Sequence, residues 1–515
     1  MCKKIVEVFS GGFPLPPPSE RLRSKVELQK IRYLHDVNLG DGSIYSQAVQ
    51  FGIFSHHNNI PHGIRLAVEY GMKEKDINFV ICTSTLAQGV NLPIRYLLVT
   101  SVYQGREKIS VRDFQNLIGR SGRSGMHTEG SILFADPVIY DEKRHWGRVK
   151  ALLDPSKSEE CESQLLALFK PVYNDYGDKT LSVEIDTFIQ IYFSGRDAVN
   201  SWISDLAEQY SAHNFSEYTL RRQVEQKVTT LSATESYLMA YWDPELDVAS
   251  EEDVVTLAKG TLAYFIATDD EKTKLKNLFL TLARNVAEKM PDPIKRKIFG
   301  KTMYGIPDSL AISDWVDANL DAINYEKTDV ELFVVLWPLI ESNIYNQSFR
   351  KCSIPSVVKE LAFAWIEGTP FYALLAHLTK SGARLGFGRR PRHYREDHIV
   401  DICENGFAFE GILVLGALIE LLPSLSIENV ELLIPTLQHL QKRLKYGLPN
   451  HHAIVLYELG FADRVIAIEL SPIFLEISPE KSAVISMLKA KREEVFVVLD
   501  QYPAYFRQVY KNVAT

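Results

Sequence analysis

The spacing of apolar residues along the chain changes near residue 155. Before it, short β-branched runs occur at "INFVIC" (77–82), "RYLLVTSVY" (95–103) and "SILFAD" (131–136). Alongside them, "HGIRLAVEYGMK" (62–73) and "SVRDFQNLIGR" (110–120) place apolar residues at helical spacing. Strands alternating with helices predict parallel βαβ units, a twisted sheet covered on both faces. Ligands of such sheets sit beyond the carboxyl ends of the strands. "TSTLAQGVNLP" (83–93) begins where the run at 77–82 stops, which suits a functional loop and equally a plain strand-to-helix connection.

After residue 155 the strand signal fades. "ESYLMAYWD", "GTLAYFIATDDEKTKLKNLFLTLARNVAEKM" and "GILVLGALIELLPSLSIENVELLIPTLQHLQKRLKYG" carry the helical period. Breaks fall near Pro291 to Pro293, "GRRPRH" and "GLPN". At the other end, "GGFPLPPPSE" is a turn-rich break, "RLRSKVELQKIRYLHDV" a predicted helix, and "NLGDGS" its stop. The expected class is a parallel-sheet α/β lobe followed by a large, mostly α-helical region, α-rich overall. The expected divisions are 1–50, an N-terminal segment leading into the lobe; 51–155, the lobe; 156–425, mostly helical; and 426–515, a C-terminal helical hairpin region.

A chain of 515 residues exceeds one ordinary core. No apolar run approaches the roughly 20 residues that span a bilayer, and the N-terminus lacks a signal-peptide pattern. A cytoplasmic protein without membrane contact is expected. Cys2, Cys82, Cys161, Cys352 and Cys403 are scattered, which argues against a zinc site or disulfide framework. The net charge of −8 confines any nucleic-acid surface to a local patch on an acidic body.

One such patch lies in "QNLIGRSGRSG" (115–125). Arg120 and Arg123 stand among glycines that let the backbone turn tightly. Phosphoryl transfer needs positive charge against the γ-phosphate, and arginine supplies a rigid fork of donors. Surface arginines in a loop are the plainer alternative.

With two further blocks, in order, the stretch resembles the second RecA-like lobe of superfamily 2 helicases, nearest the Ski-type and related DExH-box enzymes. The first block is "FGIFSHHNNIPHGIRLAVEYGMKEKDINFVICTSTLAQGVNLP", with His56, His57, Pro61, Arg65 and Glu69 leading into helicase motif V. "TSTLAQGVNLP" resembles motif V itself, and "QNLIGRSGRSG" resembles motif VI. The match covers about residues 50–136. The resemblance implies that Arg120 and Arg123 are finger residues. It places Gly89, Asn91 and Gly119 near the nucleotide, and Thr83 and Arg65 on nucleic acid. The family's motif VI glutamine falls at Asn116, with Gln115 one position early, so either amide is a candidate for the γ-phosphate. ATP and Mg2+ are implied as cofactors, and RNA or DNA as partner.

The other half of a helicase site carries GxxxxGK[ST] and a DExH or DEAD motif, and neither precedes residue 83. "KRKIFGKTMYG" has Lys295 where the leading glycine belongs and no strand run before it. "YDEKRH" follows motif VI and reads as a solvated turn. ATP and Mg2+ are therefore expected to bind only with a complementary, P-loop-bearing first lobe, supplied in trans or by a longer gene. No metal site is expected from His56 and His57, because adjacent side chains converge poorly on one ion.

In the helical remainder, by analogy with the family, a winged-helix-like part and a helical bundle are expected. "ARLGFGRRPRHYRED" sets Arg389, Arg390 and Arg392 among Phe387, His393 and Tyr394. Charge for phosphates and rings for bases suit a single strand, and a solvated basic loop suits the residues equally. "KRLKYGLPNHHAIVLYELGFADRVIAIEL" predicts three helices, with His451 and His452 opening the middle one as phosphate donors or within a simple cap. The leading functional expectation is the C-terminal part of an ATP-dependent nucleic-acid helicase. The alternative is a non-catalytic nucleic-acid-binding or scaffold subunit with a relic lobe, in a setting such as a bacterial defence system.

Overall fold

The computed structural model describes residues 1–83, 94–104, 107–122, 129–141, 143–159, 163–241, 251–386, 391–425 and 427–514. Strands β1 (Phe54–His56) and β2 (Val80–Cys82) pair in parallel, Phe54 opposite Val80 and His56 opposite Cys82. Helix His62–Lys73 connects them, opened by Pro61. Strand β3 (Tyr96–Val99) is followed by a small antiparallel hairpin, β4 (Tyr103–Gln104) and β5 (Glu107–Lys108), and by helix Val111–Ile118. Strand β6 (Ser131–Phe134) then returns parallel to β3, Tyr96 opposite Ser131 and Val99 opposite Phe134. The βαβ order predicted from the apolar runs is present.

The expected single sheet, covered on both faces, is not. Among the described residues β1–β2 and β3–β6 are separate two-stranded sheets. They also belong to separate cores. Phe54, Ile60, Ile64, Ala67 and Val68 join the main core of the molecule. Leu97, Val99, Phe114 and Leu152 form a small core of their own, with Ile132 and Phe134 against it. Side chains alternate along a strand, so Tyr96, Leu98 and Leu133 emerge on the opposite face. They are 55%, 50% and 49% exposed. The run "YLLV" is apolar throughout and gives no sign that one face is bare.

The main core runs from Cys2 to Tyr510 and draws on all four expected divisions. Helix Lys25–Leu39 is capped by Ser24, whose hydroxyl accepts from Glu27 N at 3.1 Å. Asn38, near its end, donates to Asp463 at 3.0 Å. The last helix, Ala504–Ala514, lies against helix His62–Lys73. In the body, helices Asp269–Lys289 and Asp329–Ser342 open with reciprocal Thr–Glu caps, at Thr268 with Glu271 and Thr328 with Glu331.

The helical turns over Glu396–Ser424 are continuous and include a π segment, Ile402–Gly411. An 18-residue window of this helix has a mean hydropathy of 1.8, long and apolar enough to cross a membrane, contrary to the reading of the apolar runs. Half of that window is buried inside the fold, with Ile402, Cys403, Phe407, Val414 and Leu415 in the main core. Gly300, the glycine of the P-loop-like stretch, ends helix Pro293–Phe299. A Cβ there would stand 2.5 Å from the Ala240 nitrogen, so its smallness serves close helix approach. Lys301 pairs with Glu420 at 2.8 Å. In "YDEKRH" Asp141 ends a short helix, Val138–Asp141, where a turn was expected.

Candidate nucleotide and nucleic-acid interface

Helix Val111–Ile118 begins with strong caps. Ser110 accepts from Asp113 N at 3.0 Å. The Glu159 carboxylate, far along the chain, accepts from Val111 N at 2.9 Å and Arg112 N at 3.0 Å. Three amide donors that the helix leaves open are thereby satisfied, and a negative charge meets the positive end of the helix dipole. Partial burial raises the Glu159 pKa, but the bonds from Arg112 and Val111 outweigh it, and the group sits below the ordinary carboxylate value.

The other end of this helix carries Arg120. Gly119 closes the helix, and Arg120 follows, half-buried. Ser121 then bridges Ile94, and Gly122 N donates to Ile94 O at 2.9 Å. Gly122 has φ +74°, and a Cβ on it would lie 2.6 Å from Gly130 N. The positive φ and the apposed backbone both exclude a side chain, which is the physical reason for glycine here. Ile94 precedes β3 and Ser131 opens β6. The Arg120 turn is thus fixed at the amino edge of that strand pair, while Thr83 is exposed at the carboxyl end of β2. The carboxyl-end rule places Thr83 but not Arg120.

Of the two candidate amides, Gln115 donates to Leu152 O at 2.8 Å and ties the helix to its neighbour. Asn116 and Gly119 are exposed. Gly89, Asn91, Arg123, Arg389 and Arg390 lie outside the described residues. Arg392 is exposed, its backbone paired with Leu385.

Arg65 meets a carboxylate in the helical body: its Nη2 is 3.8 Å from Glu404 Oε2. Burial pushes the Glu404 pKa up to about 7, against the pull of Arg65 and Arg464. His56 is buried, with Nε2 2.8 Å from Glu69 Oε1. The His57 ring lies 5.5 Å from that of Tyr45, whose hydroxyl donates to Asp397 at 2.5 Å. The segment leading into residues 83–93 therefore meets the body helix Glu396–Ser424. Local spacing could not reveal Glu404 or Asp397, more than three hundred residues downstream. The β4–β5 hairpin was legible in principle, from Gly-Arg between "YQ" and "EK".

The three C-terminal helices appear as expected, at Val430–Tyr446, His451–Glu458 and Arg464–Leu470. Asn450, one residue before the histidines, caps the middle helix by accepting from Ala453 N at 2.9 Å. His452 Nε2 is 2.9 Å from Ile477 O, and the His451 ring lies 3.4 Å from the His439 ring. The cap is thus supplied by Asn450, His452 is engaged within the fold, and His451 stays exposed.

Comparison with known proteins gives this arrangement a class. No protein-family model matches the chain. It is 22% identical over 448 residues to the Hachiman protein HamB of Bacillus cereus, covering 84% of this chain and 36% of that protein. It is 30% identical over 172 residues to the human Helicase POLQ-like, covering 33% of this chain and 15% of the relative. It is 27% identical over 239 residues to the ATP-dependent DNA helicase Hel308 of Aeropyrum pernix, covering 44% and 31%. These likenesses support a helicase-related protein of superfamily 2. It spans between about a seventh and just over a third of the length of these relatives.

Proposed function

We propose that this chain supplies the second-lobe side of an ATP-dependent nucleic-acid helicase, with Arg120 and Arg123 as finger residues completing a nucleotide site held by a P-loop-bearing lobe. The observation that carries this is the rigid seat of Arg120. A doubly capped helix ends directly before it, and the Gly122–Gly130 contact locks the chain directly after it. Such pre-positioning lets a guanidinium stabilise charge on a transferring phosphoryl group without reorganising during the reaction. Asn116 and Gly119 flank it toward solvent, and Thr83 and Arg65 are assigned to the strand. ATP supplies the phosphoryl group, with Mg2+ held by the other lobe. RNA or DNA is the partner, and the cytoplasm the proposed location.

The test is ATP hydrolysis, with and without a P-loop-bearing first lobe added in trans. The chain alone is expected to show no nucleic-acid-stimulated turnover. With the lobe, Arg120→Ala or Arg123→Ala is expected to reduce turnover by about 10³-fold or more. Brisk hydrolysis by the chain alone, abolished by Arg123→Ala, would refute the proposal.

A second reading, a non-catalytic strand-binding or scaffold subunit, is favoured by one observation. Gln115 has its amide committed to Leu152. Strand affinity that ignores nucleotide, with or without the added lobe, would select this reading.

A further inference from the structure

Segments 351–353, 384–386 and 391–393 come together as a small antiparallel arrangement in the helical body. Leu385 and Arg392 exchange backbone bonds, Leu385 N to Arg392 O at 2.9 Å and Arg392 N to Leu385 O at 3.0 Å. Cys352 stands opposite Leu385 on the other side. Gly386 N donates to Lys351 O at 2.7 Å and Ser353 N to Arg384 O at 2.9 Å.

Alternation along extended chain then sorts the side chains. Cys352, Leu385 and Tyr394 face inward and are buried. The Tyr394 hydroxyl donates to Ser348 O at 3.0 Å. Lys351, Arg384, His393 and Arg395 fall on the outward face, the first two half-buried and the last two exposed, with Arg392 exposed at the open edge. Arg384 Nη1 also donates to Gly382 O at 3.3 Å and Ala383 O at 3.1 Å, which fixes its guanidinium beside the backbone. Arg395 keeps the extended conformation, φ −136° and ψ 172°. Glu396, next in sequence to Arg395, is half-buried, and the two aspartates that follow are engaged elsewhere. Asp397 accepts from Tyr45, and Asp401 accepts from Ser348 at 2.6 Å and Asn405 at 2.8 Å.

On a chain of net charge −8, this is a concentrated cationic ladder on a backbone held in place. His393 and Arg395, two residues apart, are separated by about 6.6 Å. That is close to the distance between successive phosphates on an extended strand. The interleaved aromatics suggested base stacking as well. The structure removes Tyr394 from that role, because its ring is inside.

We infer that the outward face of Lys351, Arg384, His393 and Arg395 binds the sugar–phosphate backbone of a nucleic acid without stacking on its bases, as a contact in the body separate from the lobe. The inference rests on the reading of this chain as a helicase-related protein that meets a strand. Phosphate contacts of this kind position a strand and carry no sequence information. They also make affinity depend steeply on salt, by about 0.7 to 0.9 in log–log slope per phosphate neutralised.

The experiment is fluorescence anisotropy across a salt series. The probes are a labelled oligothymidylate, the same length of abasic deoxyribose-phosphate strand, and a polyglutamate peptide. In Lys351→Gln/Arg384→Gln/Arg395→Gln, the slope for both strands is expected to become shallower by about two to three, with equal loss of affinity for each. The single Arg395→Gln is expected to lower the slope by about one, and Arg395→Lys to restore it. Arg395→Gln alone decides the matter if the triple variant does not fold. An unchanged slope would overturn the inference and leave the helicase reading standing. So would loss confined to the base-bearing strand, or polyglutamate binding as tight as the strand. If the unaltered chain binds neither strand, the helicase reading itself fails.

Discussion

Gly63→Ala probes the seam between helix His62–Lys73 and the helical body with a single methyl group. A Cβ at this position would stand 2.4 Å from Asp463 Cβ and 2.5 Å from Asp463 Oδ2. Asp463 is 2% exposed and has nowhere open to move. It accepts from Asn38 Nδ2 at 3.0 Å, and it caps its helix through Val465 N at 3.0 Å and Ile466 N at 3.3 Å. Turning it away would sacrifice a helix cap, at about 1 kcal/mol. It would also leave buried polar groups unpaired, at about 1–3 kcal/mol. Moving the helix instead incurs an overpacking cost of about 1–3 kcal/mol. The cheaper route sets the loss, about 2 kcal/mol, measurable by urea unfolding. The sharper measurement is a double-mutant cycle. In an Asp463→Gly background the methyl group meets neither the carboxylate nor its Cβ, so most of its cost should vanish and the coupling should exceed about 1.5 kcal/mol. A cost of under about 0.5 kcal/mol for Gly63→Ala alone, or the same cost in both backgrounds, would refute the reasoning.

Other positions make separate claims. Burial pushes the His35 pKa down to about 4, although its Nδ1 bonds Ile31 O at 2.8 Å. The unfolded chain therefore binds more protons between pH 6.5 and 4, and this residue lowers stability by about 3 kcal/mol as pH falls through that window. Burial pushes Glu235 up to about 7, so its contribution has the opposite sign, stability being lost as pH rises from about 4.5 to 7. Unfolding free energies measured across pH 4–7 for His35→Gln and Glu235→Gln should thus change slope in opposite directions. Gly300→Ala, pressed against the Ala240 backbone, should destabilise the fold by about 2 kcal/mol in urea titration while leaving nucleotide affinity in a reconstituted complex unchanged. Gly122→Ala meets both a positive φ and the Gly130 backbone. It should abolish lobe-stimulated ATP hydrolysis while the main unfolding transition stays in place.

Local features were the most legible from sequence. The helix over His62–Lys73 follows from its period and from Pro61, and the three strand cores from their β-branched runs. The Gly-Arg-Ser-Gly turn was readable because its demands are local: a positive φ at Gly122 and room for Gly130. What stayed hidden depends on distant partners. Nothing near Arg65 announces Glu404, and nothing near Gly63 announces Asp463. Tyr394 read as an available ring because a buried and an exposed tyrosine look alike in a basic stretch. The division into two sheets was hidden because "YLLV" satisfies a strand buried on both faces and a strand buried on one.

The small core under β3 and β6 has a mechanical consequence. Its side chains support one another and not the body, so this stretch has its own free energy of opening, lower than that of the whole. A gentle protease or a short pulse of deuterated water should therefore register β3, helix Val111–Ile118 and β6 first, while Phe54, Ile64 and Val68 stay protected with the helices around them. The helix and strands next to Arg120 thus stand on a core of their own, apart from the one that carries the helical body.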